Sequence, residues 1–549
     1  AMKKFILPIV ALLFGFSVVA VYQYKNNDLL VKVIYFVKNL PESISGKPIN
    51  SIDNASLNNF FKKYPHLDKF QLEVTALYKK RNYKSIWYND GELIKFANEL
   101  YSKSEQIENE GLKFDLAYKD KMDAIFNDAS AAKISQTEKE LLLSSLYIYY
   151  AKKVFYGIDT DEIHQTGWFL PRKELSYKNL LDSLLAEPEL LDKNEKILIG
   201  QYYKLRAALQ KYRQIEKNND WEFIETESQM KKYGPGDNAK TISQIRHRLF
   251  VLGDLPQDSK NNLYDEELKA GILNFKTRNG YKPDYLIGSQ HINRMNQSIE
   301  KYIQLISINM ERCRWISPKL EKANEFIVIN IPSFQLFYIK NGENVLSSRV
   351  FVGINRMETV IFSSTISSIV FSPYWNVPQS ILENEIKPAM EKDPDYLTKH
   401  DLEWNKKSLR QRPGPKNALG VVKFVFPNTY SIYLHDTPYK LNFNFEFPRF
   451  SHGCINMQKA KELAYKILEN NPQWPIEKIN EAMNSGVETV YLLKKPIPIH
   501  IGYFTSWAND EGKINFYFDI YTKDDLLSEF LFNDTLNLAE TTPVKRLSN

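Results

Sequence analysis

The chain has 549 residues, 43% hydrophobic and 13% aromatic, with 72 Lys and Arg against 66 Asp and Glu for a formal charge of +6. That length is ample for a buried core and implies several domains rather than one. Both signs of charge are abundant throughout and no basic stripe stands out, which argues against a dedicated nucleic-acid binder.

In chain order, Lys3 and Lys4 precede an uncharged run, FILPIVALLFGFSVVAVY, from Phe5 to Tyr22. A basic start before such a run reads as an export signal, and Val18-Val19-Ala20 suits cleavage. The run is also long enough to span a bilayer with its lysines inside. Residues 1–25 are therefore a cleaved signal or a retained inner-membrane anchor, and either places the remainder outside the cytoplasm, in the periplasm if the cell is Gram-negative. Residues 26–55, with Pro41 and Gly46-Lys47-Pro48, read as a linker.

Residues 56–225 read as a helical scaffold. Ser135 and Glu138 form a capping box before ELLLSSLYIYYAKKVFYG, predicting one helix over 135–157. The segment YKKRNYKSIWY (78–88) reads as core packing with a snorkelling Arg. Over 231–300, helical spacing recurs at Ile242, Ile245 and Leu249, at Leu268, Ile272 and Phe275, and at Ile292, Met295 and Ile299, predicting a three-helix module. From residue 323 the pattern turns to strands. EFIVINIPSFQLFYIK, Asn341-Gly342 and ENVLSSRVFVG read as a hairpin on a tight turn. Further strand-like runs are TISSIVFSPYW, GVVKFVFP, TYSIYLHD and ETVYLLKKPIPIHIG. A polar, helix-compatible insertion lies at about 381–413, and residues 523–549 read as a loose polar tail.

Two cysteines, Cys313 and Cys454, in an exported chain invite a disulfide. One bridge does little for so long a chain, so both are expected free, with Cys313 a packed structural residue. In TYSIYLHD, strand alternation sends Ile432 and Leu434 to one face and Tyr433 and His435 to the other. The apolar pair suits a core, so Tyr433 and His435 are expected on an open cleft. Downstream, Ser451-His452-Gly453-Cys454 precedes an amphipathic pattern at Ala460, Leu463, Ala464, Ile467 and Leu468. This places Cys454 on a turn entering a helix, where the dipole or a nearby His⁺ would lower its pKa. Backbone N–H groups at Gly453–Cys454 would cradle an oxyanion. Asn456 reads as a helix cap.

His435, fifteen intervening residues and Ser451-His452-Gly453-Cys454-Ile455-Asn456 resemble the signature of the YkuD-type L,D-transpeptidase catalytic domain. IPSFQLFYIKNGENVLSSRVFVG, SPYWNVP (372–378), PGPKNALG (413–420) and YLHDTP (433–438) resemble it too. GDLPQDSKNNLYDEELKAGILNFKTRNGYKPDYLIG resembles a small peptidoglycan-binding module, with Asp284-Tyr285 in place of that family's Asp-Gly. The whole order is similar to large Gram-negative periplasmic L,D-transpeptidases.

The resemblance implies an α+β multidomain fold: a mostly β catalytic sandwich over 323–522, a helical N-terminal scaffold and a three-helix module. It implies a two-step acyl transfer on peptidoglycan stem peptides as donor and acceptor. Cys454 is the nucleophile and His435 the general acid/base. Backbone at Gly453 and the Tyr433 hydroxyl stabilise the oxyanion. Ser451, His452, Asn456 and Trp375 contact or shape the substrate site. The products are D-Ala and a 3→3 cross-link, no metal or cofactor takes part, other wall-synthesis enzymes are potential partners, and carbapenems would acylate the thiol. Where many members carry Arg two residues after the cysteine, this chain has Asn456. An L,D-carboxypeptidase, a protein-to-peptidoglycan tethering enzyme and a non-catalytic wall-binding scaffold stay open as alternatives. A zinc amidase is disfavoured because the eight His show no close ligand pairing. Ser228-Gln229-Met230-Lys231 matches S-x-x-K, but no Lys-Thr-Gly accompanies it.

Overall fold

A computed structural model describes residues 52–127, 133–227 and 232–532. The signal or anchor, most of the linker, the S-x-x-K match and the end of the tail lie outside the described residues. Among the described residues no helix is long and apolar enough to cross a membrane.

The scaffold is helical, as its periodicity predicts. Helix Gln136–Tyr150 starts on the Ser135–Glu138 capping box and continues into a π turn, Ala151–Tyr156. Its buried face is polar where the aromatic segment 78–88 meets it. Tyr78 and Trp87 both reach Ser144 Oγ at 2.8 Å, and the Glu140 carboxylate accepts the Ile86 and Trp87 N–H groups. Those residues are packing, as expected.

The three-helix unit holds helices Lys240–Leu252, Glu266–Arg278 and Ser289–Met295. The third helix stops short of Ile299. Ser298 accepts the Lys301 N–H and caps a separate helix, Ile299–Trp315, in which every residue from Leu305 to Trp315 is buried. This helix is the spine of the molecule. Its Glu311 and Arg314 pair at 2.8 Å, Glu311 accepts the Ile158 N–H, and Arg314 donates to the Val154 and Glu110 carbonyls of the scaffold. Its Asn309 bonds Thr505, and Arg312 pairs with Asp524 at 2.6 Å.

Among the described residues ten strands build one sheet: β1 (Trp168–Phe169), β2 (Glu325–Asn330), β3 (Gln335–Lys340), β4 (Glu343–Gly353), β5 (Ile361–Phe371), β6 (Val422–Val425), β7 (Leu434–His435), β8 (Arg449–Ser451), β9 (Ile455–Met457) and β10 (Thr489–Gly502). The pairing order is β6-β7-β9-β4-β3-β2-β10-β5, and β5 pairs back onto β6, so the sheet closes on itself. Closure removes the exposed edges that open sheets must protect. Scaffold strand β1 adds to β5 in parallel, and β8 adds to β4. The interior is aliphatic and aromatic, with Ile327, Ile329, Leu336, Val350, Ile369, Phe371, Phe424 and Leu434 all buried.

Several expectations need correction. EFIVINIPSFQLFYIK is two strands, not one. Pro332 cannot donate to a ladder, and Phe334 is left-handed at φ 52°, so the chain reverses between β2 and β3. The Asn341-Gly342 turn joins β3 to β4 as predicted. The insertion is not purely helical. Strands Trp375–Asn376, Leu402–Asn405 and Ser408–Gln411 form a small sheet around its short helices. Ile381, Leu382, Ile386, Leu402 and Leu409 make a separate apolar cluster there. The tail is not loose at its start: Lys523–Phe532 is a helix held by buried Leu527 and by Asp524 on Arg312.

Breaking that last pair leaves a buried carboxylate without its counter-ion. Arg312→Met should destabilise the fold by about 3–5 kcal/mol in urea denaturation. Adding Asp524→Leu should recover most of the loss, because the orphaned charge is then gone.

Candidate active site

The site is assembled by two short strands. β7 and β9 pair in parallel, Leu434 with Ile455 and His435 with Asn456. The Ile455 N–H donates to the Tyr433 carbonyl at 3.1 Å. This register sets Cys454 beside Tyr433, and Tyr433 lies two residues from His435 on the same face. The Tyr433 and His435 rings are 5.6 Å apart. Tyr433 thus neighbours His435 on its own strand and Cys454 across the pair.

Three expectations fail at this point. Cys454 is not at a helix entrance: β9 follows it directly, and the helix Ala460–Leu468 begins only after Lys459. Ile455, Asn456 and Met457 are buried between β7 and β4, so they pair as a strand before the helical pattern begins. The sulfur is thus not at the N-terminus of that helix, whose N-cap residue is Lys459 and not Asn456. His435 is also not open to solvent; only 5% of its surface is exposed.

These placements fix the protonation states. Burial raises the half-buried Cys454 thiol above its ordinary value, opposed by hydrogen bonds from the Tyr433 backbone and hydroxyl. The thiol also points to the Ser431 carbonyl at 3.7 Å. Burial depresses His435 to about 4, outweighing its bond to the Asp436 carbonyl. That carbonyl can only accept, so Nδ1 carries the proton and donates. The lone pair of Nε2 is then left as the base. Burial raises Tyr433, keeping its hydroxyl protonated, and the Cys454 and Trp375 side chains bear on that hydroxyl.

The residues that hold His435 escaped the sequence reading. Asp436, whose carbonyl fixes the imidazole tautomer, has its carboxylate tied to the Val421 N–H at 3.1 Å and to Lys440. Gly420 lies against it. Its φ is +61°, and a Cβ there would meet the Asp436 carboxylate at 2.3 Å. The string PGPKNALG therefore ends on a residue that must be glycine.

The nucleophile loop is held from inside. Ser451 Oγ donates to the Cys454 carbonyl and accepts the Gly453 N–H at 3.2 Å. Thr359 Oγ1 donates to the Gly453 carbonyl at 2.9 Å, and the Tyr521 hydroxyl accepts the Thr359 N–H. Gly453 has φ +106°, a backbone only glycine adopts freely. Because its N–H is engaged by Ser451, the expected oxyanion donor is not free. Among the described residues the Cys454 N–H makes no hydrogen bond and is the available donor. Ser451 is buried and acts on the loop, not on a ligand.

His452 points outward and pairs with Glu385 of the insertion at 2.7 Å. Trp375 is half-buried, packed on the insertion's apolar cluster while touching Tyr433. Both tie the insertion to the nucleophile. Cys313 is free and fully buried in the spine. Among the described residues no cluster of His, Cys, Asp and Glu is placed to hold a metal.

A mostly β domain with a histidine on one strand and a cysteine just before its parallel neighbour defines a class, and two family models match the chain. Residues 324–478 match the family model of the L,D-transpeptidase catalytic domain (YkuD), and residues 72–209 match that of the Scaffold domain. Residues 324–478 are accordingly a YkuD-type L,D-transpeptidase catalytic domain.

A curated Haemophilus influenzae protein, provisionally named an L,D-transpeptidase, is 31% identical over 269 residues, covering 44% of this chain and 54% of the relative. The chain thus spans about half the length of that relative. The crystal structure of an L,D-transpeptidase from Stackebrandtia nassauensis aligns at 14% identity and TM-score 0.23, over 49% of this chain and 94% of its own. An L,D-transpeptidase from Mycobacterium smegmatis aligns at 12% identity and TM-score 0.20, over 33% of this chain and 59% of its own. Scores this low carry no argument.

Ser451→Ala removes both of the bonds Ser451 makes to the loop and leaves the one from Thr359. It should cost about 1–3 kcal/mol of stability by denaturant titration. It should also slow alkylation of Cys454, since the sulfur is no longer held toward Tyr433.

Proposed function

We propose that this chain is a cysteine L,D-transpeptidase that forms 3→3 cross-links between peptidoglycan stem peptides. The observation that carries the reading is the shared face of Tyr433, His435 and Cys454, with the Nδ1 proton of His435 committed to Asp436. The resting pair is a neutral thiol and a neutral imidazole. As Sγ attacks the carbonyl between the diamino acid and the terminal D-Ala, Nε2 takes the thiol proton. The Cys454 N–H and the Tyr433 hydroxyl stabilise the developing oxyanion. The C–N bond breaks, the imidazolium returns its proton to the departing amine, and D-Ala leaves a thioester on Cys454. A side-chain amine of a second stem attacks this thioester, gives its proton to Nε2 and releases the free thiol. Reading Lys3–Tyr22 as a signal or anchor puts the reaction in the periplasm, where the substrate lies.

Intact mass after incubation with tetrapeptide muropeptides tests this. Wild type should carry an acyl adduct on Cys454 and yield 3→3 dimers; Cys454→Ala should yield neither. Tripeptide monomers without dimers would reveal a carboxypeptidase. Dimers from the Cys454→Ala variant would refute the covalent route.

The pH dependence follows from His435. An exposed imidazole loses its lone pair below about pH 6.5, whereas His435 protonates only near 4. Acylation should therefore persist down to about pH 5, with its acid limb centred near 4. The same depression lowers stability in acid: between 6.5 and 4 the unfolded chain binds a proton that the folded state refuses.

A further inference from the structure

The acyl-transfer reading leaves a charged group next to His435 and Tyr433 without a task. Lys423 lies on β6, directly opposite His435 in antiparallel register. Such partners project to the same face, so Lys423 shares the side of the sheet that carries Tyr433 and His435. Its ammonium is 5.8 Å from the centre of the Tyr433 ring, and Tyr433 is the residue that the sheet register sets beside Cys454.

Lys423 is half-buried, and among the described residues its ammonium makes no hydrogen bond or ion pair. Glu488 is the acid whose charge bears on it, and that carboxylate is engaged by the Tyr374 N–H at 2.8 Å. Burial pulls Lys423 below the usual lysine range, and its charge in turn discourages His435 from protonating. An ammonium withdrawn from water without a partner costs free energy. The core does not need it, because the flanking Val422 and Phe424 supply the packing from the other face. A cation held at a cost beside a nucleophile fits an anion that arrives with the substrate.

We propose that Lys423 binds a carboxylate of the donor stem peptide; this rests on the acyl-transfer reading above. Two carboxylates qualify by chemistry. The α-carboxylate of the terminal residue lies one residue, about 3.6 Å of chain, beyond the scissile carbonyl. A diamino acid carrying a side-chain carboxylate offers the second. The flexible four-carbon stem of lysine lets the ammonium follow either. Pairing there anchors the donor on the leaving-group side of the cleft and holds its carbonyl against Sγ.

The test uses the full chain and three synthetic tetrapeptide donors: the free acid, its C-terminal amide, and its diamino-acid side-chain amide. Cys454 acylation is followed by intact mass for wild type, Lys423→Met, Lys423→Gln and Lys423→Arg. Wild type should acylate with the free acid about 10–100-fold faster than with one of the two amides, as expected for a charge-assisted bond. Which amide is slow identifies the carboxylate. In Lys423→Met and Lys423→Gln that ratio should collapse toward one, and Lys423→Arg should restore most of it. Alkylation of Cys454 by neutral iodoacetamide reports that each variant is folded with its thiol reachable. Wild type indifferent to both amides, or a neutral variant that keeps the wild-type ratio, overturns the proposal. Failure of all three donors to acylate wild type would instead take down the acyl-transfer reading, and this inference with it.

Discussion

The parallel pairing of β7 with β9 is the constraint on which the rest depends. Two residues on each strand suffice to set Cys454 beside Tyr433 and His435 on the adjoining row. Parallel pairs need a long crossover between them, and here residues 436–454 supply it, carrying Lys440 back to Asp436 on the way. Because the pair lies inside a closed sheet, burial decides the electrostatics. It raises the thiol and depresses the imidazole, and in both groups it outweighs the local hydrogen bonds that oppose it. Cys454 and His435 therefore rest uncharged, and the base acts during attack instead of generating a standing thiolate.

The scaffold bears on this geometry through the buried spine. Helix Ile299–Trp315 bonds the scaffold with Glu311 and Arg314, and the C-terminal segment with Asn309 and Arg312. That segment carries Tyr521, whose hydroxyl reaches the Gly353 carbonyl at 2.7 Å and the Thr359 N–H, and Thr359 holds the Gly453 carbonyl. Buried ion pairs of this kind add little net stability, since desolvation consumes most of the Coulomb gain. Their directional bonds set where the nucleophile loop sits. Strand β1 adds a second tie, joining Trp168 of the scaffold to Ile361 of β5.

What could be read from the sequence was mostly local. The Ser135–Glu138 box, the Asn341-Gly342 turn and the heptad-like spacing of 240–252 act over a few residues, and each stands in the fold. Cys454, Tyr433 and His435 were legible because alternation on one strand and the SHGCIN string are also short-range. Non-local pairing was not legible. Nothing near Ile455 reveals that β4 and β7 will flank it, so the helical pattern from Ala460 was extended too far back. Asp524 looks like part of a polar tail until Arg312, 212 residues away, meets it. Lys423 and Thr359 carry no motif of their own, Asp436 sits in YLHDTP with nothing to mark its role, and all three matter only through what the sheet sets beside them.

The central claim is that Cys454, just before β9, and His435, on the neighbouring β7, both rest uncharged. The rate of Cys454 alkylation by chloroacetamide against pH reads this directly, with Cys313 silent in the core. The account predicts one rise, centred above the ordinary thiol value of about 8.5, and slow reaction throughout pH 5–7. A fast plateau from pH 5 to 8 would show a thiolate–imidazolium pair and contradict it.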